Sequence, residues 1–529
     1  MSPISVVQTV DQAALAPVYA LAAAAVLVLV VDLAIGPGRR WSGAVLLGLG
    51  AVGVVGTVAA TFIVGSGRRG TFCTAGGVLP GDVRVGPSCS FVVDGVSLAV
   101  TVLGCALALV VLALSVPVIR AAVVPAGEYV FLLLCSLLGL VVLGSARDLL
   151  TLLVAVETLT LPVYILVGLV RKAGAASRAS AEAAVTFFVT SVVATALTLL
   201  GIALLYGVTG AVHLDRVAAA LAAGTDDPDA RTKPLVAAAA VLVLAGLLFK
   251  LAAVPFHAWA PATYDGAPLP VTAWLATGSK LGGTVAVLVT VGIALRPLPH
   301  VVGPALVLVA VVTMTVGNLV ALRQRRVVRL LAWSAVAQTG YLVAPLGLVA
   351  LAGSRADLRN MVAAVAGFTA LYLVASIGTF AAVVALRGAA DGGTIDDLRG
   401  AAGRAPWATA ALVLGLAGLA GLPPGLAGLF AKVVVVRAAL DGSAGWLAVV
   451  IGLNAVIGLA YYARVAAACF GAEDVTHEPA LVGPVASVAR VVALPVRAAV
   501  LVTATAGLVL GGWPQWVLDA ADAVAAAFR

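Results

Sequence analysis

The sequence is short of charge. Only 10% of its 529 residues are Asp, Glu, Lys or Arg, against about 25% in an ordinary soluble domain, while 63% are hydrophobic. That poverty excludes a soluble enzyme, a nucleic-acid-binding protein and a disordered chain. Histidine is scarce too: His213, His257, His300 and His477 are scattered, and no Cys/His cluster with metal-ligand spacing can be drawn. Gly48-Leu49-Gly50-Ala51-Val52-Gly53 matches a dinucleotide fingerprint by letter. It lies in an apolar run, with no strand before it and no acid at the right distance after it, so small residues for helix packing account for it. No Lys or Arg precedes the first apolar run, so a cleaved signal peptide is not expected and the chain is read as kept whole.

What fills the sequence instead is Ala, Val, Leu and Gly in long runs, with a mean hydropathy of +1.16. About 20 apolar residues in helix span the hydrocarbon of a bilayer. Fourteen such stretches are expected, near 17–36, 41–64, 95–117, 128–146, 148–170, 182–208, 235–256, 270–296, 300–322, 327–352, 360–387, 405–440, 444–470 and 490–512. The gaps 65–94, 209–234 and 388–404 are too short for a domain. The expectation is therefore an all-α integral membrane protein that touches lipid and no nucleic acid.

Basic residues in short loops set orientation. With the N-terminus outside, sixteen fall at cytoplasmic ends, among them Arg39, Arg40, Lys172, Arg323, Arg325, Arg326 and Arg490, against six at short external ends, including Arg147, Arg296 and Arg529. Both termini are expected outside. Cys73 and Cys89 then lie on the first external loop, where an oxidising compartment favours a disulfide over two free thiols.

Two spans read as broken. Residues 405–440 are too long for one straight crossing and are cut by Gly421-Leu-Pro423-Pro424-Gly425; the span ending at Val254-Pro255-Phe256-His257 is the weaker case. Such breaks free backbone groups that hydrocarbon cannot satisfy, so they are tolerated only against protein or a wet cavity. Paired breaks point to a transporter with its site at the breaks, and the plain alternative is a kink used for packing.

Beside the breaks stand charges that are costly in oil. The chain has 26 Arg and five Lys, yet three of the five, Lys250, Lys280 and Lys432, lie inside apolar spans. A central lysine costs about 2.5–3.5 kcal/mol on insertion scales. Arginine keeps its proton under all conditions, whereas a desolvated lysine can give one up and retake it. Snorkelling to the interface is the bland reading, strongest for Lys250. Glu157 stands nine residues beyond Asp148, roughly 13 Å deep at about 1.5 Å per residue. An intramembrane lysine is its natural partner, either as a switch or as a static pair that fixes packing. His257, Ser334, Gln338, Tyr341, Asn318, Asn454, Tyr461 and Tyr462 could line a water path, or each could make an ordinary interhelical hydrogen bond.

These residues carry a family resemblance. Residues 249–280, FKLAAVPFHAWAPATYDGAPLPVTAWLATGSK, resemble the signature of the antiporter-like subunits of respiratory complex I, and specifically their N-type branch. Residues 330–341, LLAWSAVAQTGY, and 418–432, GLAGLPPGLAGLFAK, resemble two further motifs of that family. The resemblance implies fourteen helices and two inverted five-helix repeats, each with a broken helix: an N-terminal section 1–127 with external loop 65–94, repeats at 128–297 and 298–470, and a C-terminal section 471–529. It implies that Glu157 modulates Lys250, that Lys280 is the central relay and that Lys432 faces the exit. It further implies a proton-translocating subunit of the bacterial plasma membrane, without a cofactor of its own. NADH, FMN, iron–sulfur clusters and quinone would belong to partner subunits, with M-type, K-type and J-type subunits as neighbours. Lys432, where the M type usually has Glu, and the short tail beyond 512, where the L type has a long lateral helix, both favour the N type. Gln338 stands where many relatives carry His, and Ala262 where they often carry Asp. A multi-subunit sodium/proton antiporter and a non-conducting structural spacer are the competing readings.

Overall fold

The computed structural model describes residues 10–36, 41–65, 67–171, 175–224, 232–472 and 492–528. Arg39, Arg40, Lys172, His477, Arg490 and Arg529 lie outside the described residues. Among the described residues, two small two-stranded sheets interrupt an otherwise helical chain. Helices α1 (Ala16–Ile35) and α2 (Ser42–Val64) are followed by four short strands. Next come α3 (Gly95–Leu114), its continuation α4 (Val116–Arg120), α5 (Ala126–Ser145), α6 (Leu149–Gly168) and α7 (Ala175–Thr209). A short helix α8 (Leu214–Gly224) precedes α9 (Thr232–Lys250), α10 (Trp259–Gly266), α11 (Leu269–Ala276) and α12 (Gly278–Val289). The second half holds α13 (Pro299–Ala321), α14 (Val327–Leu351), α15 (Arg355–Arg387), α16 (Ala401–Arg404), α17 (Pro406–Ala420), α18 (Leu426–Asp441) and α19 (Gly445–Phe470). Helices α20 (Leu494–Gly512) and α21 (Gln515–Ala525) close the chain.

Among the described residues, thirteen helices are long and apolar enough to cross a bilayer. Fourteen spans are expected from the sequence, and the difference is residues 405–440. There the chain divides into α17 and α18 around Gly421–Gly425, and neither piece is long enough alone. A second departure lies between α11 and α12. Thr277 leaves helical geometry at φ −126° and ψ −75°, and α12 runs on into a π-helical turn, Thr290–Ala294. The sequence predicts 270–296 as one unbroken span, because no proline marks the interruption.

Burial separates centre from rim. The α11–α12 crossing and α14 are each 94% buried, whereas α1 and α2 are 22% buried and present Val26, Leu33, Val52 and Ile63 outward. Apolar side chains facing outward all along a helix suit lipid rather than water. Helix α14, lying along α13 and against α15, α10 and α18, is the axis on which the two halves meet.

The loops gather on two faces. On one, β1 (Arg69–Thr74) pairs antiparallel with β4 (Ser88–Val93), Cys73 opposite Cys89, and a disulfide joins the two; β2 (Gly77–Leu79) and β3 (Val83–Val85) form the tip. This hairpin sits on α8, whose Leu214, Val217 and Leu221 are buried on one side. Ser88 donates to Asp215 at 2.6 Å, and Arg216 donates to the carbonyls of Thr74, Ala75 and Gly86. The Asp11 amide donates to Thr71 on β1, and α21 packs on the start of α3, so both ends of the described chain lie on the hairpin face. The opposite face is rich in arginine. There Arg326 grips Asp265 with its Nε and Asp391 with an Nη, at 2.8 and 3.0 Å.

Candidate functional site

Glu157 is carried by α6, which starts where the Asp148 carboxylate accepts from the amides of Leu150 and Thr151. Such a cap satisfies orphan donors and fixes the helix start, and with it the depth of Glu157. The Glu157 carboxylate lies 3.2 Å from Lys250 Nζ at the last residue of α9. Two hydroxyls from α7 complete this pair: Thr195 donates to Glu157 at 2.7 Å, and Lys250 donates to Ser191 at 2.8 Å. The Tyr164 hydroxyl donates to the same Ser191. Lys250 is 6% exposed and Glu157 28%, on a helix side where Val154 and Leu161 also face outward.

Helix α9 stops at Lys250. Ala252 takes a positive φ of 55°, and the Val254–Pro255 peptide is cis. The stop leaves carbonyls without an intrahelical donor, and one of them, Leu251 O, accepts from Lys280 Nζ at 2.8 Å. Lys280 also donates to Thr339 of α14, which itself donates to Leu251 O at 2.6 Å. The sequence places Lys250 and Lys280 thirty residues apart; the break brings the second amine against the residue that follows the first.

The second half repeats the arrangement. Helix α17 stops at Ala420, Gly421 takes a positive φ of 82°, and the Pro423–Pro424 peptide is cis. Lys432 of α18 donates to the freed carbonyls of Leu419, at 2.9 Å, and Ala420, at the negative end of the helix dipole. Its amine also stands 5.7 Å from the Tyr341 ring centroid, within cation–π range. The pieces pack so closely that a Cβ on Gly428 would sit 1.5 Å from Gly418 O, so only glycine allows this return.

Helix α14 ties the lysines together. Thr339 touches Lys280, while its neighbour Gln338 donates to Leu419 O, the carbonyl that holds Lys432, and to Tyr462 at 3.2 Å. Ser334, one turn earlier, is 2.5 Å from the Tyr462 hydroxyl. Tyr461 donates to Asn318, which donates to Asn454, and Asn318 Nδ2 lies 3.5 Å from the Tyr341 hydroxyl. Thus the half-buried Glu157 and the buried Lys250, Lys280, Gln338 and Lys432 stand in one series, with Ser334 and Tyr341 beside it. His257 stands apart: its ring lies edge-on to Trp333, centroids 5.2 Å apart, and no hydrogen bond among the described residues ties it to the three amines. Pro255, Pro423 and Pro424 lie in the gaps between α9 and α10 and between α17 and α18.

The sequence reading missed Ser191, Thr195, Tyr164 and Thr339. Their partners lie 27 to 59 residues away in the chain, and buried hydroxyls are common throughout it. Tyr462 was singled out only as a polar residue on a span. Among the described residues no group of three His, Cys, Asp or Glu side chains could hold a metal ion.

Comparison with known proteins places this geometry in a lineage. Residues 146–458 match the family described as the transmembrane part of NADH:quinone oxidoreductase and Mrp antiporters. NADH-quinone oxidoreductase subunit N of Salinispora tropica is 53% identical, over 98% of this chain and 99% of its own length. A chain of respiratory complex I from Thermus thermophilus with bound aureothin superposes with a TM-score of 0.72 at 27% identity, covering 95% of this chain and 98% of that one. A chain of the Mrp complex from Dietzia shares the fold, at a TM-score of 0.75 and 23% identity, over 98% of this chain and 97% of that one. The identity over full length is to subunit N, and the family match spans both breaks and all three buried lysines; the chain belongs to the subunit N family of NADH:quinone oxidoreductase, antiporter-like membrane subunits of respiratory complex I.

Proposed function

We propose that the chain carries protons through the bilayer along Glu157, Lys250, Lys280 and Lys432, driven by quinone reduction in other subunits of the complex. The observation that carries this reading is the way the amines are held. Lys250 has a carboxylate partner, while among the described residues Lys280 and Lys432 donate to carbonyl and hydroxyl oxygens and meet no carboxylate. A buried amine locked to a carboxylate keeps its charge; one facing neutral acceptors can be charged or neutral at comparable cost. Glu157 and Lys250 then act as a switch. While the pair is closed Lys250 holds its proton, and when it opens the proton moves past Leu251 to Lys280. Thr339 positions Lys280 for that step, its hydroxyl accepting from Nζ while donating to Leu251 O. Gln338 cannot titrate, so on the way to Lys432 it serves as an orienting group that fixes Leu419 O and Tyr462.

In this reading residues 128–297 and 298–470 are two inverted five-helix repeats, each contributing one broken helix, and the broken α17–α18 pair makes the fourteenth crossing. Residues 1–127 and 471–529 flank them. The hairpin face and both termini are external to a bacterial plasma membrane, the compartment that suits the Cys73–Cys89 disulfide. The outward side of α6 that carries Glu157 meets a neighbouring membrane subunit, of the K-, J- or M-type. NADH, FMN, iron–sulfur clusters and quinone are held by partner subunits.

Replacing Lys280 with Met tests the proposal. In the assembled complex reconstituted in vesicles, proton uptake driven by NADH oxidation is expected to fall to a small fraction of the wild-type rate, with the subunit still incorporated. Undiminished pumping would refute the relay.

A further inference from the structure

Beneath the hairpin lies a cavity of about 990 Å3, remote from the relay. Its walls are the base of the hairpin, α8, the turn between α5 and α6, the residues that follow the π turn, and the C-terminal Phe528. Five charged side chains line it: Arg68, Arg147, Arg296, Asp94 and Asp215. Arg147 and Asp94 neutralise each other at 2.6 Å. Asp215 accepts from Ser88 and stands beside Arg216, whose guanidinium is bound to three hairpin carbonyls. Arg68 and Arg296 have neither an ion-pair nor a hydrogen-bond partner among the described residues, and with three arginines against two aspartates the lining is net positive by one charge.

The remaining wall is apolar, with Leu214, Ile293 and Phe528 turned toward the same space. Arg296 lies just past the end of a membrane crossing, and α8 buries Leu214, Val217 and Leu221 on one side. That is the depth at which lipid headgroups sit, and where an amphipathic helix marks the interface. Guanidinium groups bind phosphate oxygens in a forked geometry. A free phosphate would use the arginines and leave the apolar wall idle; an amphiphile uses both.

We propose that this cavity binds the headgroup of an anionic phospholipid, its phosphate between Arg68 and Arg296 and its glycerol and upper acyl carbons against Leu214, Ile293 and Phe528. The test uses the whole purified complex, delipidated in detergent and exposed to mixed micelles containing phosphatidylglycerol or phosphatidylcholine, with retained lipid counted by native mass spectrometry. Wild-type complex is expected to retain phosphatidylglycerol in preference to phosphatidylcholine. The double variant Arg68→Gln, Arg296→Gln is expected to retain it roughly tenfold less, since each basic residue near a lipid surface contributes a few-fold in affinity. Arg437→Gln, an exposed residue of α18 outside the cavity's lining, serves as the control and leaves retention unchanged. If the double variant fails to assemble, Arg68→Gln alone, at an exposed residue without a partner, is read in its place. Equal retention by wild type and variant, no preference for the anionic lipid, or displacement of the lipid by millimolar inorganic phosphate would each overturn the proposal.

Discussion

At the scale of single residues, the chemistry rests on which cation stands where. Arginine dominates this chain, yet the three buried sites beside helix breaks hold lysine. Two of the amines point at oxygens freed by a break, Leu251 O for Lys280 and Leu419 O and Ala420 O for Lys432, while Lys250 meets Glu157 and Ser191. Thr339 is the side chain that both braces Lys280 and connects it to α14. Thr339→Val keeps the shape and removes the hydroxyl. A hydrogen bond to a charged group is worth about 1.5–3 kcal/mol, so the pumping rate in reconstituted vesicles is expected to fall by about tenfold or more while the subunit stays in the complex. An unchanged rate would show that this bond has no part in transfer. The lysines and Glu157 were legible in the sequence because charge in an apolar run is conspicuous. Their acceptors were not. A backbone carbonyl becomes an acceptor only once the helix stops, and Ser191, Thr195 and Thr339 look like any other small hydroxyl on a span.

At the scale of elements, hydrophobic runs gave helix positions to within a few residues for most of the spans. They failed where polar residues continue a helix. α7 begins at Ala175, ahead of the expected 182, because Arg178 reads as a loop residue yet rides on its first turn. α8 and α21 were missed because each is only 11 residues long and carries two charged side chains. The second break was legible from Pro423 and Pro424, but its tightness was not, since that lies in the contact of Gly428 with Gly418. Gly428→Ala is expected to prevent closure of the break and to deplete the subunit from purified complex, because a Cβ 1.5 Å from a carbonyl oxygen cannot be accommodated without moving backbone. Gly452→Ala, where a Cβ meets nothing within 4 Å, is expected to leave assembly intact. Equal assembly of the two would contradict the observed packing.

The hairpin clasp makes a second element-scale prediction. His213 is buried beside Ser90 of β4, its Nε2 3.3 Å from the serine hydroxyl. Burial lowers the imidazole below its ordinary value, opposed by Asp148, reinforced by Arg216 and opposed again by Asp215. The unfolded ring takes up a proton near pH 6.5 before the buried one does. The contribution of His213 is therefore full above that pH and declines as pH falls through it. After correction for intrinsic rates, amide exchange in Ser88–Val93 is expected to quicken between about pH 7.5 and about pH 5.5. His213→Gln is expected to flatten that dependence. A wild-type protection that does not change with pH would contradict the assignment.

At the scale of the whole molecule, the two faces divide the labour. The arginine-rich face joins the halves through Arg326, Asp265 and Asp391, and the hairpin face gathers both ends of the described chain. Orientation follows from the basic residues, so a membrane-impermeant reagent applied to intact cells or spheroplasts is expected to label single cysteines introduced near Asp11 and near Ala523, and not one introduced near Arg325. Labelling of the Arg325 site alone would invert the topology. The contact between halves at the site was invisible in the sequence, because it runs through Thr339 of α14, whose hydroxyl meets Lys280 and Leu251 O of the first half.

The central claim is that Lys280 works by losing and regaining a proton, not by standing as a fixed charge. The most direct measurement is the number of protons moved per NADH oxidised by vesicle-reconstituted complex carrying Lys280→Arg, compared with Lys280→Met. Arginine keeps positive charge and hydrogen-bond donors at that position but does not release its proton. The account predicts that both variants assemble and that both lose pumping to a similar extent. Full pumping by Lys280→Arg would contradict it, and would make Lys280 a structural cation.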